Sequence, residues 1–291
     1  MGINAYEGGF IFAGLHQIWR FNLAKQIDSS REPQALLIPH GCTYTGFVNC
    51  HDVVQLNNEQ VAYIATKFNC LAQTSFTNSL VPVWVPPFFR ELVAEDCCHV
   101  NGVASTGRRP RFISMLGTGV QKDEWRKDRS QGAIYDLKSN KPVAEHLWMP
   151  HSPRVHEQQL YALESGLGSF GLVSDGKINP ILMLPGFTRG LDFCGSTAAI
   201  GYSCLRPKAQ DALPLETRMS QTQTTPHCGV ILYDTKEKTN VHSLQFSSTV
   251  TEIFDVAFLT GTSNARLIHP SSSEMVKVHS IGLNRLAIRP Q

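Results

Sequence analysis

Three histidines, His51, His99 and His151, each stand at the start of a short β-like run, roughly one repeat length of 50 residues apart. Neutral imidazoles that converge on one point are typical ligands of iron, zinc or copper. Three protein ligands leave a coordination position open for water or substrate, as in catalytic metal sites. The pattern therefore predicts a metal centre, with strand capping or hydrogen bonding between repeats as the structural alternative.

Two arginines open neighbouring β-like runs, Arg154 and Arg189. Guanidinium groups bind carboxylates and phosphates through paired hydrogen bonds, so we predict that both orient an anionic substrate during catalysis. Salt bridges to aspartates of neighbouring repeats, such as Asp52 or Asp255, are the alternative. Glu157 is a candidate acid or base if its carboxyl group is desolvated.

Other polar residues open the same kind of run. Because these starts are expected to face a common centre, we predict that the polar residues bind substrate: Asp52, Asn101, Thr188 and Asp255.

The elements that position these residues are short β-rich runs bounded by Gly, Pro, Asn and Ser, without long amphipathic helical patterns. They form a repeat of four strands that starts near residues 1, 51, 99, 153, 189 and 254. Repeats of about 40–50 residues with four strands are typical of β-propeller blades, whose innermost strands line a central channel. We predict an all-β, single β-propeller of six four-stranded blades, with five also possible; a β-sandwich with long loops is the alternative.

Composition agrees with one globular domain over residues 1–291, with 42% hydrophobic and 17% charged residues and a net charge of +2. Insertions near 121–131 and 206–227 are candidates for a lid or for a loop that binds a partner, and the tail from about 260 is irregular. The short basic stretches lack aromatic partners, so no nucleic acid is expected. We find no apolar run that could span a membrane and no export signal, which predicts a cytoplasmic protein with buried thiols. The oligomeric state is left open.

Several longer motifs resemble an uncharacterised bacterial family of conserved hypothetical, propeller-like proteins of unknown function. The resemblance covers roughly residues 1–260; its start and its tail after about residue 259 depart from the family pattern. It implies a β-propeller and no particular reaction. The motifs are Asn69-Cys70-Leu71-Ala72, Pro82-Val83-Trp84-Val85-Pro86-Pro87-Phe88, Glu95-Asp96-Cys97-Cys98-His99-Val100-Asn101-Gly102, Pro150-His151-Ser152-Pro153-Arg154, Leu184-Pro185-Gly186-Phe187-Thr188-Arg189-Gly190-Leu191 and Glu252-Ile253-Phe254-Asp255-Val256.

These observations leave three hypotheses. The first is a metal-dependent enzyme that tailors a small or peptide-like anionic substrate in the central channel, by oxidation or by lyase or hydrolase chemistry. The second is a non-catalytic propeller that binds a protein or glycan partner. The third is metal-free acid–base catalysis by Glu157 or a histidine, as a looser similarity to strictosidine-synthase-like propellers suggests.

Overall fold

The computed structural model describes residues 1–26, 34–56, 60–206, 213–247, 249–262, 264–273 and 275. Regular structure in this part is almost entirely β and forms five sheets. The runs that form strands are rich in Val, Ile, Tyr and Phe, which favour a pleated, half-buried surface. Turns with glycine or asparagine at positive φ separate many of them, for example at Gly8, Gly107 and Asn140.

Each sheet contains an antiparallel meander of four strands and is called here a blade. The first contains β1 (Gly2–Tyr6), β2 (Gly9–Ala13), β3 (Gln17–Gln26), β4 (Gln34–Tyr44) and, parallel to β4, β21 (Ala265–Leu267). The second contains β5 (Cys50–Gln55), β6 (Val61–Ala65), β7 (Cys70–Gln73) and β8 (Val81–Trp84). The third contains β9 (Val100–Thr106), β10 (Arg109–Met115), β11 (Gly132–Asp136) and β12 (Lys141–Leu147).

The remaining two blades follow the same plan. The fourth contains β13 (Pro150–His156), β14 (Gln159–Glu164), β15 (Ser169–Ser174) and β16 (Lys177–Met183). The fifth contains β17 (Phe187–Cys194), β18 (Thr197–Ser203), β19 (Gly229–Asp234) and β20 (Thr239–Gln245). Helical structure in the described part is limited to α1 (Pro214–Gln221) and the 3₁₀ turns Thr66–Phe68 and Glu124–Arg126.

The first strand of each blade is the innermost one, because β1, β5, β9, β13 and β17 contact one another in succession. Apolar side chains fill the space between adjacent sheets. Ile64 of the second blade and Ile113 of the third, for instance, belong to one fully buried cluster. At the periphery, by contrast, every residue of β20 is exposed. This gradient from a buried centre to an open rim is that of a β-propeller.

An extended segment, residues 253–258, closes the ring between the fifth and first blades. Its Ile253 N–H donates to the Ser203 hydroxyl at 2.8 Å, and its Phe258 N–H donates to Asp192 at 2.7 Å. On the other side, Asp255 accepts from the N–H of Ile3 at 2.9 Å. The segment therefore takes the place of a further innermost strand without a sheet of its own.

The predicted all-β propeller is confirmed, and the first five repeats begin within a few residues of the predicted positions. The number of blades in the described part of the chain is five, the alternative that the prediction allowed beside six, because the repeat from 254 provides only the closing segment there. Residues 276–291 of the predicted tail and 207–212 of the second insertion lie outside the described residues.

All eight cysteines are free, and five of them are buried as predicted, but Cys194 is exposed and Cys42 and Cys204 are partly so. No described helix has the length and apolar character needed to cross a bilayer.

Candidate functional site

A cavity of about 490 Å³ lies at the end of the ring where the innermost strands begin. His51 enters it from the start of β5, His151 from the start of β13 and Arg189 from the start of β17. Both predicted insertions reach it as well. The lining residues are Asn49, His51, His99, Leu116, Trp125, Arg126, Arg129, Met149, His151, Phe187, Arg189, Ser203, Cys204, Leu205, Arg206, Leu213, Glu216, Glu252 and Phe254.

The ring of His51 is held at its Nδ1 atom by two acceptors. Nδ1 lies 2.9 Å from the carbonyl oxygen of Asn49 and 2.8 Å from the hydroxyl oxygen of Thr66. The Thr66 hydroxyl proton is donated to the carbonyl of Val100, at 2.7 Å, so the hydroxyl oxygen accepts at His51. Nδ1 therefore carries the imidazole proton, and Nε2 carries the lone pair.

His151 is held in the same way in the fourth blade. Its Nδ1 lies 3.0 Å from the carbonyl oxygen of Met149 and 2.8 Å from the hydroxyl of Ser165. Ser165 donates its proton to the carbonyl of Thr188, at 2.6 Å. His151 thus has the same tautomer as His51, and in both cases the hydroxyl also ties the blade to the next one.

His99 has a different partner, a carboxylate. Its Nδ1 lies 2.6 Å from Oδ2 of Asp96, and the other carboxylate oxygen, Oδ1, is buried without a hydrogen-bond partner among the described residues. A carboxylate accepts hydrogen bonds, so Nδ1 again carries the proton and Nε2 the lone pair. Such a pair stabilises the imidazolium that forms when Nε2 takes up a proton.

The three histidines do not share one repeat position, although their spacing predicts it. Cys50 pairs with the last residue of β6, and Pro150 pairs with the last residue of β14. In the third blade, Val100 pairs with the last residue of β10, so Val100 is equivalent to Cys50 and Pro150. Asn101 therefore stands in the third blade where His51 and His151 stand in theirs. His99 lies before the strand, where its φ of 51° turns the chain.

The predicted metal centre is not supported by the spacing of these rings. His51 and His99 are neighbours, with ring centroids 4.7 Å apart, whereas His151 packs edge-on against Phe187 at 5.5 Å. Imidazole nitrogens suit transition metals. Within the described ranges, however, no three or more His, Cys, Asp or Glu side chains are grouped to hold a metal ion. The residues therefore do not fit a three-histidine metal site.

All three imidazoles are neutral at neutral pH. Burial lowers the pKa of His51 and of His151 well below the ordinary 6.5, and the nearby Arg189 charge lowers both further. Burial also lowers the pKa of His99, against the upward effect of the Asp96 carboxylate. The cavity thus contains three Nε2 lone pairs that can accept hydrogen bonds or protons.

Arg189 is the buried cation of the cavity. Its Nη1 donates to Oε1 of Glu252 at 3.1 Å, and Arg206 donates to the same oxygen. Burial lowers the pKa of Arg189 to about 10, while Glu252 opposes that shift, so the guanidinium stays charged at neutral pH. Four arginines and two glutamates line the cavity, which favours an anionic ligand.

Arg154 does not line the cavity, in contrast to Arg189. Its guanidinium donates to Oδ2 of Asp52 at 2.8 Å and lies 3.6 Å from Oδ1 of Asp255. It also donates to the carbonyls of Val103 and Pro153, at 3.2 and 2.9 Å. The structure thus places Arg154 in the ion pairs between blades that the sequence offered as the alternative.

The predicted substrate-binding residues make contacts between strands or blades. Asn101 donates to the carbonyl of Pro150 at 2.9 Å, and the Thr188 hydroxyl, fully buried, donates to a carbonyl at 3.4 Å. Asp52 and Asp255 belong to the ionic cluster with Arg154.

The structure does not bring the predicted acid or base Glu157 to the cavity either. Its side chain is 60% exposed. It lies in the turn after β13, whereas the cavity lies where that strand begins.

The sequence missed the aromatic residues of the cavity. Trp125, on the first insertion, lies 4.4 Å from the ring of His99. Phe254, on the closing segment, has the Arg189 guanidinium 5.1 Å from its ring centre. A local indication was present in the sequence, because Phe187 and Phe254 directly precede Thr188 and Asp255, two of the predicted substrate-binding residues. An aromatic residue is common in any β-strand, however, so this signal did not separate cavity from core.

The model of a family described as "Domain of unknown function (DUF4915)" matches residues 1–268. No curated protein matches the chain.

Similar solved structures share little sequence with the chain. A catalytically inactive virginiamycin B lyase from Staphylococcus aureus, solved with quinupristin, is 10% identical with a TM-score of 0.38, over 84% of this chain and 68% of that chain. A protein of unknown function from Bacteroides caccae is 8% identical with a TM-score of 0.46, over 80% and 71%. One from Bacteroides thetaiotaomicron is 8% identical with a TM-score of 0.44, over 86% and 58%. Such likenesses concern the fold alone.

Proposed function

The chain belongs to the family of the domain of unknown function DUF4915, and we propose that it is a metal-free acid–base enzyme whose central cavity binds a small anionic molecule. Arg189 binds the anionic group, and Nε2 of His99 removes a proton from the bound molecule. The hydrogen bond between His99 and Asp96 carries this proposal, since His99 is, among the described residues, the one imidazole of the cavity wall that is hydrogen-bonded to a carboxylate.

His99 is suited to act as a general base for two reasons. The Asp96 carboxylate fixes the tautomer that presents the Nε2 lone pair, and it stabilises the imidazolium after proton transfer. The lowered pKa of His99 keeps the base form populated at neutral pH. His51 and His151 have hydroxyl and carbonyl partners instead, so we assign them the role of accepting hydrogen bonds from the ligand.

Arg189 supplies the charge that an anionic substrate requires. Its position beside Glu252 and Arg206 leaves the cavity wall positive overall, and the surrounding burial strengthens an ion pair with a ligand. An anion that binds here displaces the Glu252 carboxylate from the Arg189 guanidinium. Because a hydrogen bond to a charged group contributes about 1.5–3 kcal/mol, loss of Arg189 should weaken anion binding roughly 10- to 100-fold.

The first test measures binding of a panel of small carboxylates and phosphates by titration calorimetry. We expect at least one series to bind, Arg189→Gln to weaken it by about 10- to 100-fold, and the exposed control Arg90→Gln to leave it unchanged. Equal binding by the parent and Arg189→Gln would contradict the anion site.

The second test follows the bound molecules by proton NMR and mass spectrometry during incubation in D₂O, which reports both turnover and proton exchange. His99→Gln should lower the rate by about 10²–10⁴-fold, and EDTA should not change it. Near-stoichiometric iron, zinc or copper that is lost in the His51→Ala/His99→Ala/His151→Ala variant would contradict the metal-free assignment.

A further inference from the structure

The aromatic rings of the cavity indicate a property of the ligand that the charged residues of the cavity do not. Three of the polar groups have an aromatic ring beside them: Trp125 lies next to His99, Phe187 next to His151 and Phe254 next to Arg189. A cavity for a simple hydrated anion would need no such rings, because polar groups and water satisfy the ion. The repeated pairing indicates a ligand with both polar and apolar surfaces.

The three rings differ in how much surface they leave to a ligand. Trp125 offers little surface to a ligand, since the Arg126 guanidinium lies 4.0 Å from its ring centre and the His99 ring centre lies 4.4 Å away. Trp125 is only 6% exposed, and it therefore serves to hold His99 in place. Phe187 and Phe254 are partly exposed in the cavity wall, so their surfaces remain for contact with a ligand.

The size of the cavity leads to the same conclusion. At about 490 Å³ it falls within the range of sites that enclose molecules with one or more rings. A lone phosphate or acetate would leave most of this volume to water. Aliphatic side chains, including Leu116 and Leu213, also line the wall of the cavity.

We infer that the ligand is an amphipathic carboxylate, in which an apolar body of one or two rings lies on Phe187 and Phe254 and the carboxylate meets Arg189. This inference rests on the proposed anion site and names the class of molecule that the site takes. Transfer of the apolar body out of water supplies affinity, while the ion pair with Arg189 fixes its orientation relative to Nε2 of His99.

The test compares three probes by titration calorimetry with the full chain: 2-naphthoate, propionate and 2-naphthylmethanol. The first two have the same charge, and the third has the rings without the charge. We expect 2-naphthoate to bind at least about 10-fold more tightly than either of the others. Because this comparison uses the parent protein, it does not depend on the folding of any variant.

Two variants locate the effect. Phe254→Ala should weaken the binding of 2-naphthoate about 10-fold more than the binding of propionate, because only 2-naphthoate has a ring that can contact Phe254. The matched control, Phe76→Ala, removes a fully exposed ring from a separate groove between the first two blades and should change neither affinity.

The outcomes separate this inference from the proposed function. Equal affinities for 2-naphthoate and propionate, both lost in Arg189→Gln, would overturn the amphipathic ligand and leave the anion site intact. Equal affinities for 2-naphthoate and 2-naphthylmethanol, both unaffected by Arg189→Gln, would overturn the anion site itself.

Discussion

At the residue scale, the backbone of His99 is as informative as its side chain. Its φ of 51° lies in the left-handed region, which costs a non-glycine residue roughly 1–3 kcal/mol unless surrounding contacts hold it. Those contacts are present in the bond to Asp96, the packing on Trp125 and the neighbouring ring of His51. Asn49 and Met149, which also directly precede the first strand of their blades, each have a φ of 53°, so this turn belongs to the plan of the blade.

The tautomers and charges of the histidines can be measured without a substrate. Nitrogen NMR should show the proton on Nδ1 of His51, His99 and His151, and each should titrate below pH 6.5, because burial disfavours the imidazolium. Asp96→Asn should lower the pKa of His99 further, since the carboxylate raises it.

The exposed His242 gives a matched control for the Asp96→Asn substitution, because it does not line the cavity. At a fixed pH its ring resonances should be the same in the parent and in Asp96→Asn. An Nε2-protonated His99, or an Asp96→Asn variant with a raised His99 pKa, would remove the basis for a general base there.

At the element scale, the two insertions convert an open channel mouth into a cavity. The first insertion contributes the 3₁₀ turn Glu124–Arg126, and the second contributes helix α1. Leu215 and Met219 of α1 pack with Trp125 and Met149 in one buried cluster. His51, His151 and Arg189 come from strand starts that the propeller fixes, whereas much of the apolar wall comes from segments outside the blades.

We therefore expect that helix α1 can unfold locally while the blades remain folded. Leu215 is fully buried, and Leu215→Ala removes contacts of a size that costs about 2–5 kcal/mol in a core. Because α1 is short and lies outside the sheets, we expect local release: faster hydrogen exchange over residues 214–221 with unchanged exchange in β13 and β14.

Ser220→Ala, an exposed change in the same helix, is the control and should exchange like the parent. Equal acceleration over the blade strands in Leu215→Ala would mean that α1 is an integral part of the propeller core instead.

At the scale of the whole molecule, a buried ionic cluster connects the blades across the channel. Asp52 of the second blade binds Arg154 of the fourth, and its Oδ2 also accepts from the N–H of Val103 in the third, at 3.0 Å. Asp255 of the closing segment lies on the other side of Arg154 and accepts from Ile3 in the first blade. One guanidinium thus lies between two carboxylates, which leaves the cluster with an excess negative charge if both are ionised.

The cluster and the histidines predict opposite effects of pH on stability. Burial, with repulsion from Asp52, raises the pKa of Asp255 from 3.8 to about 7, while Arg154 opposes the shift. The stabilising contribution of protonated Asp255 is complete below pH 3.8 and is lost as pH rises through 7. The histidines have lowered pKa values, so their contribution is present above pH 6.5 and is lost as pH falls.

Urea unfolding at pH 5 and pH 8 separates these contributions. Asp52→Asn should lower the free energy of unfolding by about 3–5 kcal/mol at both pH values, because it leaves the Arg154 charge without its main partner. For Asp255→Asn, the free energy of unfolding minus that of the parent should be more positive at pH 8 than at pH 5. The reason is that the stabilising contribution of protonated Asp255 in the parent declines over that range. Equal losses for the two variants at both pH values would contradict this division of roles.

The positions of strands were predictable because β-structure leaves a local signature. Alternating apolar residues and turn residues recur every few positions, and the first five repeat starts follow directly from them. The sixth repeat was not predictable in the same way. Residues 253–258 have the composition of a strand, and only the hydrogen bonds to Ser203 and Asp192 show that they close the ring alone.

By itself the sequence determined the all-β repeat, the gathering of polar residues at strand starts and the two insertions, since each depends on residues close together along the chain. The tertiary structure alone decided which polar groups meet. Arg154 and Arg189 open neighbouring strands in the same way, yet one binds Asp52, about a hundred residues away, and the other faces the cavity. The partners of a side chain in a propeller come from other blades, and the distances and burial that set its charge exist only once the ring has closed.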